Sequence, residues 1–165
     1  MSKLAFIFPG QGAQKAGMGK DFYENSEAAR SFFDHAQEIL DFDLKEMCFG
    51  EHEELNLTEY TQPCMVSVCL AIVQELKKRG INPDITAGLS LGEYAAVAAA
   101  GGMNELDAIK LVRRRGILMQ NTVPTGEGAM AAVLGLDAKK IEEILESFEN
   151  VWIANYNCPG QIVIT

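Results

Sequence analysis

No stretch of this chain constrains its fold more than Gly88-Leu89-Ser90-Leu91-Gly92. The segment before it, Pro83 to Gly88, reads as a short strand, and Leu91 to Ala100 reads as an alanine-rich helix with small side chains for close packing. A serine between them lies on a tight strand-to-helix turn, the context that a G-x-S-x-G nucleophile elbow requires. Side chains two residues before and after the serine would collide with the neighbouring elements, so glycine is needed at both places. The turn lifts the Ser90 hydroxyl above the sheet edge, and the helix brings free N–H groups and its positive end to the same spot. That environment favours an alkoxide or a tetrahedral oxyanion. The plain alternative is a Gly-Ser loop that only caps a helix.

The flanking sequence fits α/β architecture. Lys3 to Phe8 is a continuous apolar run ended by Pro9-Gly10, which suits a strand buried on both faces, and Gly10, Gly12, Gly17 and Gly19 follow in a loop. Ala29, Phe32, Phe33, Ala36, Ile39 and Leu40 recur at helical spacing after Asn25-Ser26, which predicts an amphipathic helix begun at that pair. Glu51 to Thr61 reads as a solvated acidic loop, and Pro63 as the first residue of a mostly buried central helix running to Arg79 and closed by Gly80. Asn104 is placed to cap a helix that carries Arg113, Arg114 and Arg115 and ends near Asn121. After Val123-Pro124-Thr125-Gly126-Glu127-Gly128 the pattern is strand (129–134), helix (138–148), strand (151–155), turn (Pro159-Gly160), strand (162–165). That β-α-β-β order is the opening of a ferredoxin-like unit.

Composition narrows the chemistry. Fourteen Lys and Arg against 23 Asp and Glu give a net charge of −9, and the Arg113-Arg114-Arg115 run is too short for a basic stripe, so nucleic acid is not an expected partner. Arg113 and Arg114 read as a solvated helix face. The cysteines Cys48, Cys64, Cys69 and Cys158 lack CxxC spacing, and with only His35 and His52 beside them they suggest reduced thiols and no metal site. Cys64 and Cys69, inside an apolar helical segment, read as structural thiols. A reducing cytoplasm fits, and no apolar stretch is long enough for a signal peptide or a membrane span.

Several motifs in order carry a resemblance along the whole chain: Phe8-Pro9-Gly10-Gln11-Gly12, Thr61-Gln62-Pro63, Gly88-Leu89-Ser90-Leu91-Gly92-Glu93-Tyr94, Arg115-Gly116 with Met119-Gln120, Gly128-Ala129-Met130-Ala131-Ala132-Val133, and Asn155-Tyr156-Asn157-Cys158-Pro159-Gly160-Gln161. Together they resemble the malonyl-CoA:acyl carrier protein transacylases. The resemblance implies a hydrolase-like α/β core with a mainly parallel sheet over 1–125 and the start of an inserted ferredoxin-like subdomain over 126–165. It implies that Ser90 attacks the thioester of malonyl-CoA and that acyl carrier protein takes the malonyl group from the serine ester. The backbone N–H groups of Gln11 and Leu91 would form the oxyanion hole, helped by the freedom of Gly10 and Gly12. Arg115 would clamp the malonyl carboxylate, and Gln62, Asn155 and Asn157 would support the site. No metal or redox cofactor is implied, because the CoA thioester is itself the substrate.

The chain departs from the pattern in two places. Leu89 stands where the family most often has histidine before the nucleophile, which removes a polar group that could help choose the acyl chain. No histidine follows Ser90, and both His35 and His52 precede it, whereas the base of such a site follows the serine in chain order. The resemblance covers about the first half of a family member, so the base histidine is expected outside these residues and the stretch alone is expected to be inactive. Other readings stay open: an acyltransferase loading a polyketide synthase carrier domain, a serine esterase with the same elbow, and a binding module or inactive fragment that lacks its base.

Overall fold

The computed structural model describes residues 3–123 and 126–165. Met1 and Ser2, and the Pro124-Thr125 stretch at the expected domain boundary, lie outside the described residues. The chain divides into two compact units, Met1–Thr122 and Val123–Thr165.

In the first unit, strand β1 (Ala5–Phe8) pairs in parallel with β2 (Ile85–Gly88), Ala5 opposite Ile85 and Phe8 opposite Gly88. Helices α1 (Lys20–Asn25), α2 (Glu27–Glu38), α3 (Leu44–Phe49) and α4 (Thr58–Lys78) separate the two strands, and α5 (Gly92–Ala99) and α6 (Glu105–Thr122) follow them. The long helix α4 is the centre of the core, packed against α2, α5 and α6 and buried without interruption from Thr61 to Val68. Two helix starts follow from local chemistry. The Ser26 hydroxyl accepts from Ala29 N–H at 3.1 Å, and Asn104 Oδ1 accepts from Leu106 and Asp107 N–H at 2.9 and 3.2 Å.

The strand expected to be buried on both faces is buried on one. Phe8 belongs to the core and Phe6 packs against it, while Ile7 is 79% exposed. Successive side chains on a strand point to opposite faces, and among the described residues only one face of this two-stranded sheet is covered. Two helices, α1 and α3, fall in stretches without a clear apolar period; α3 starts where the Asp43 carboxylate accepts from Glu46 N–H at 2.9 Å.

The central helix begins five residues earlier than expected, and Pro63 lies inside it. Proline has no N–H to give the carbonyl of residue 59. Arg113 Nη1 supplies the missing donor, 2.8 Å from the Glu59 carbonyl oxygen. The same guanidinium forms a paired contact with the Asp41 carboxylate at 2.8 and 2.9 Å and lies over the rings of Phe42 and Tyr60, 5.2 and 5.1 Å from their centroids. Its side chain is only 12% exposed, so Arg113 is no solvated residue; Arg114 beside it is exposed. Arg113→Ala is therefore expected to cost about 1–3 kcal/mol, because it leaves the Glu59 carbonyl without its donor and removes the packing on Phe42 and Tyr60, while the exposed Asp41 carboxylate adds little. Arg114→Ala should stay within about 0.5 kcal/mol of wild type, and urea titration of the two variants checks the contrast. The Arg113 guanidinium also holds the Asp41 carboxyl below its ordinary 3.8. That part of the stability is present above the ordinary value and is lost as pH falls through the lower folded value.

The expected acidic loop contains a 3-10 turn, Glu53–Asn56, which buries Leu55. All four cysteines are free: Cys48 and Cys64 are buried, Cys69 is partly buried and Cys158 is exposed. Its neighbour Cys64, together with burial, raises the Cys48 thiol well above its ordinary value, and burial pushes Cys69 up to about 11. No helix among the described residues is long and apolar enough to cross a membrane, and none of their His, Cys, Asp and Glu groups is placed to hold a metal.

The second unit carries β3 (Ala131–Leu134), α7 (Ala138–Leu145), β4 (Ile153–Cys158) and β5 (Gln161–Ile164). The strands form an antiparallel sheet in the order β3-β5-β4, with β4 and β5 joined by the turn at Pro159-Gly160. This is the expected β-α-β-β arrangement, with α7 ending three residues before Phe148.

Candidate active site

Ser90 has φ of 49°, and only one other described non-glycine residue, Asn150, has a positive φ. A left-handed conformation costs an ordinary L residue about 1–2 kcal/mol, so the turn holds Ser90 there against its own preference. Both flanking glycines are enforced by backbone contact. A Cβ on Gly88 would lie 2.1 Å from the carbonyl carbon and oxygen of Gly92, and one on Gly92 would lie 2.4 Å from the Phe8 oxygen. The start of α5 is thus pressed between the end of β2 and the end of β1.

The loop after β1 is locked to the same place. Leu89 N–H donates to the Phe8 carbonyl at 3.1 Å, and a Cβ on Gly10 would lie 2.9 Å from the Leu89 oxygen. Gly12, at φ of 110°, closes the loop in a conformation open to glycine, and its N–H donates to Gln14 Oε1 at 2.8 Å. These contacts bring the backbone just before Gln11, from Phe8 to Gly10, against the backbone on either side of Ser90.

The first turn of α5 uses more of its donors than the sequence suggests. Gly92, Glu93 and Tyr94 donate to the carbonyls of Leu89, Ser90 and Leu91 at 2.9, 3.1 and 3.2 Å. Among the described residues, neither Leu91 N–H nor Gln11 N–H makes a hydrogen bond, and neither does the exposed Ser90 hydroxyl. His35 is exposed on α2, and His52 pairs with Glu46 at 3.0 Å, so no histidine of this chain hydrogen-bonds to the serine.

The Gln11 side chain enters a polar network that joins three elements. Its Nε2 donates to Thr58 Oγ1 at 3.1 Å, and Thr58 N–H donates to Gln120 Oε1 at 3.0 Å. Gln62, fully buried in α4, donates from Nε2 to Gln11 Oε1 at 3.4 Å and to Met119 Sδ at 3.3 Å, while its Oε1 has no hydrogen-bond partner. Thr58 is a residue that sequence reading missed, because nothing local marks a threonine in an acidic stretch as a partner of position 11. Arg115 lies two residues past Arg113 on α6, half-buried, with its guanidinium 5.6 Å from the centroid of the Tyr94 ring. Asn155 and Asn157 lie on β4 of the second unit, both exposed, and Asn157 donates to Gln161 at 3.5 Å.

A parallel strand running through a strained serine into a helix, in a chain of mixed helices and strands, defines an α/β protein of the serine-elbow class. Residues 5–165 match the acyl transferase domain family, and the chain belongs to that family. It is 49% identical over its whole length to the malonyl CoA-acyl carrier protein transacylase of Bacillus subtilis, covering 54% of that protein. Its fold matches the crystal structure of the malonyl CoA-acyl carrier protein transacylase from Clostridium perfringens with a TM-score of 0.90 at 46% identity, over 99% of this chain and 53% of the other. It is similar also to a malonyl-transacylase solved in complex with a type II PKS acyl-carrier protein, with a TM-score of 0.88 at 40% identity over 99% of this chain and 54% of the other. The chain spans about half the length of the curated relatives it matches.

Proposed function

We propose that the protein carrying this chain transfers a malonyl group from malonyl-CoA to the phosphopantetheine thiol of an acyl carrier protein, at the start of fatty acid biosynthesis. The single observation that carries this reading is the strained Ser90 elbow locked against the Gln11 loop, in a chain about half identical to proteins named for that reaction. Ser90 Oγ attacks the thioester carbonyl, the tetrahedral oxyanion is held by the N–H groups of Gln11 and Leu91, and the CoA thiol leaves. The carrier-protein thiol then attacks the serine ester and returns Ser90 to its free form. The proton given up by Ser90 needs a base, and His35 and His52 are placed elsewhere, so the reading calls for a histidine from outside these 165 residues.

In this reading Gln62 sets the Gln11 side chain through its hydrogen bond. The acyl group passes only between thiols and a serine, so the reaction needs no resident cofactor, and four free thiols suit a cytoplasmic location. The same chemistry serves a polyketide carrier protein, a reading that the more similar relatives do not favour.

Arg115 is the group that binds the malonyl carboxylate. Two charge-assisted N–H donors facing a carboxylate favour a dicarboxylic acyl group over acetyl, which would leave them unpaired. Arg115→Ala in the intact protein is expected to lower the ratio of kcat/KM for malonyl-CoA over acetyl-CoA about 10²-fold or more. Parallel loading assays with the two thioesters read this directly, and an unchanged ratio would remove Arg115 from the site.

A further inference from the structure

Three consecutive arginines on α6 meet three different environments. Arg113 is saturated by Asp41, Glu59 and two rings, and Arg114 is exposed. Arg115 makes no hydrogen bond or ion pair among the described residues, and its guanidinium lies over the ring of Tyr94, 5.6 Å from the centroid. Tyr94 lies in the first turn of α5, four residues after Ser90, packed against the core of the first unit. Its hydroxyl makes no hydrogen bond among the described residues, so the ring face is what it offers.

We propose that Tyr94 is the positioning residue for Arg115, and that it sets the preference of the site for a dicarboxylic over a monocarboxylic acyl group. The inference rests on the reading of Arg115 as the carboxylate clamp. A guanidinium is planar: one face can rest on an aromatic ring while its N–H donors, which lie in the plane at the edge, remain open to a carboxylate. Stacking fixes a long side chain that no counter-ion holds, and it fixes it to the helix that starts at the elbow. Without the ring the guanidinium would sample several rotamers, and the carboxylate would have to order it on binding.

Because the ring acts through the arginine, its loss should fall on malonyl-CoA and not on acetyl-CoA. In the intact protein, Tyr94→Leu is expected to lower the malonyl-over-acetyl ratio of kcat/KM about two- to thirtyfold, mainly by raising KM for malonyl-CoA. Tyr94→Phe keeps the ring face and should keep the preference. In an Arg115→Ala background, Tyr94→Leu should lower the ratio no further. Should the leucine variant fail to fold, a phenylalanine at position 94 fluorinated in steps weakens the negative ring face at nearly constant shape, and the ratio should fall with each step.

Equal losses for both thioesters, persistence of the effect without Arg115, or indifference to fluorination would each overturn the assignment of Tyr94. If Arg115→Ala itself leaves the ratio unchanged, the clamp reading fails and the proposal fails with it. A large Arg115→Ala effect with an indifferent Tyr94 overturns the proposal alone.

Discussion

Ser90→Ala is expected to abolish malonyl transfer in the intact protein, by about 10⁴-fold or more, while leaving the fold in place. Intact mass separates this from a general loss of function. Wild-type protein mixed with malonyl-CoA should gain one malonyl group, and the variant should gain none. The residue is exposed and its hydroxyl makes no hydrogen bond among the described residues, so deleting the oxygen removes no structural contact. The backbone sharpens the test. At φ of 49° alanine is as strained as serine, whereas glycine is at ease there. Ser90→Gly should therefore be as inactive as Ser90→Ala and yet unfold at no lower temperature than wild type. Malonyl incorporation surviving in both variants would place the nucleophile elsewhere.

The second large effect falls on the fold. Gly88→Ala puts a Cβ 2.1 Å from the Gly92 carbonyl carbon and oxygen and needs β2 and α5 to part. Neither can move freely, because β2 is paired with β1 and Gly92 lies against the Phe8 and Pro9 carbonyls. A loss of more than about 4 kcal/mol is expected, near the whole stability of an ordinary domain, so the variant should be recovered mainly as insoluble protein. Gly80→Ala is the control. Gly80 has φ of 75° with nothing within 4 Å of its Cβ position, so alanine meets only backbone strain, about 1 kcal/mol. Thermal unfolding of the two variants compares crowding with conformation, and equal effects would contradict the close approach at the elbow.

Much of the scaffold is legible from local sequence. Ser26 and Asn104 cap the helices that follow them, because a short polar side chain before an apolar period satisfies N–H groups that the helix leaves open. The elbow is legible for a similar reason: two glycines at fixed offsets from a serine report backbone contacts that admit no side chain. Errors arise where a distant element supplies what the local chain lacks. Pro63 reads as a helix start because its missing N–H should end a helix behind it. The helix continues back to Thr58 because Arg113, fifty residues further along, gives the Glu59 carbonyl its donor and Gln120 accepts from Thr58 N–H. The same contact makes a supposed surface arginine a largely buried structural group.

The local order of this molecule, its elements, caps and serine turn, was written in the sequence by itself, because those features depend on neighbours a few residues apart. Which groups meet across the core was decided only by the tertiary structure: Gln11 with Thr58 and Gln62, Arg113 with Asp41 and Glu59, and Arg115 with Tyr94. A guanidinium has the same pattern of donors at each of three adjacent positions on one helix. Packing against other elements makes one of them a structural tie, leaves one in solvent, and sets the third, half-buried, over the ring of Tyr94.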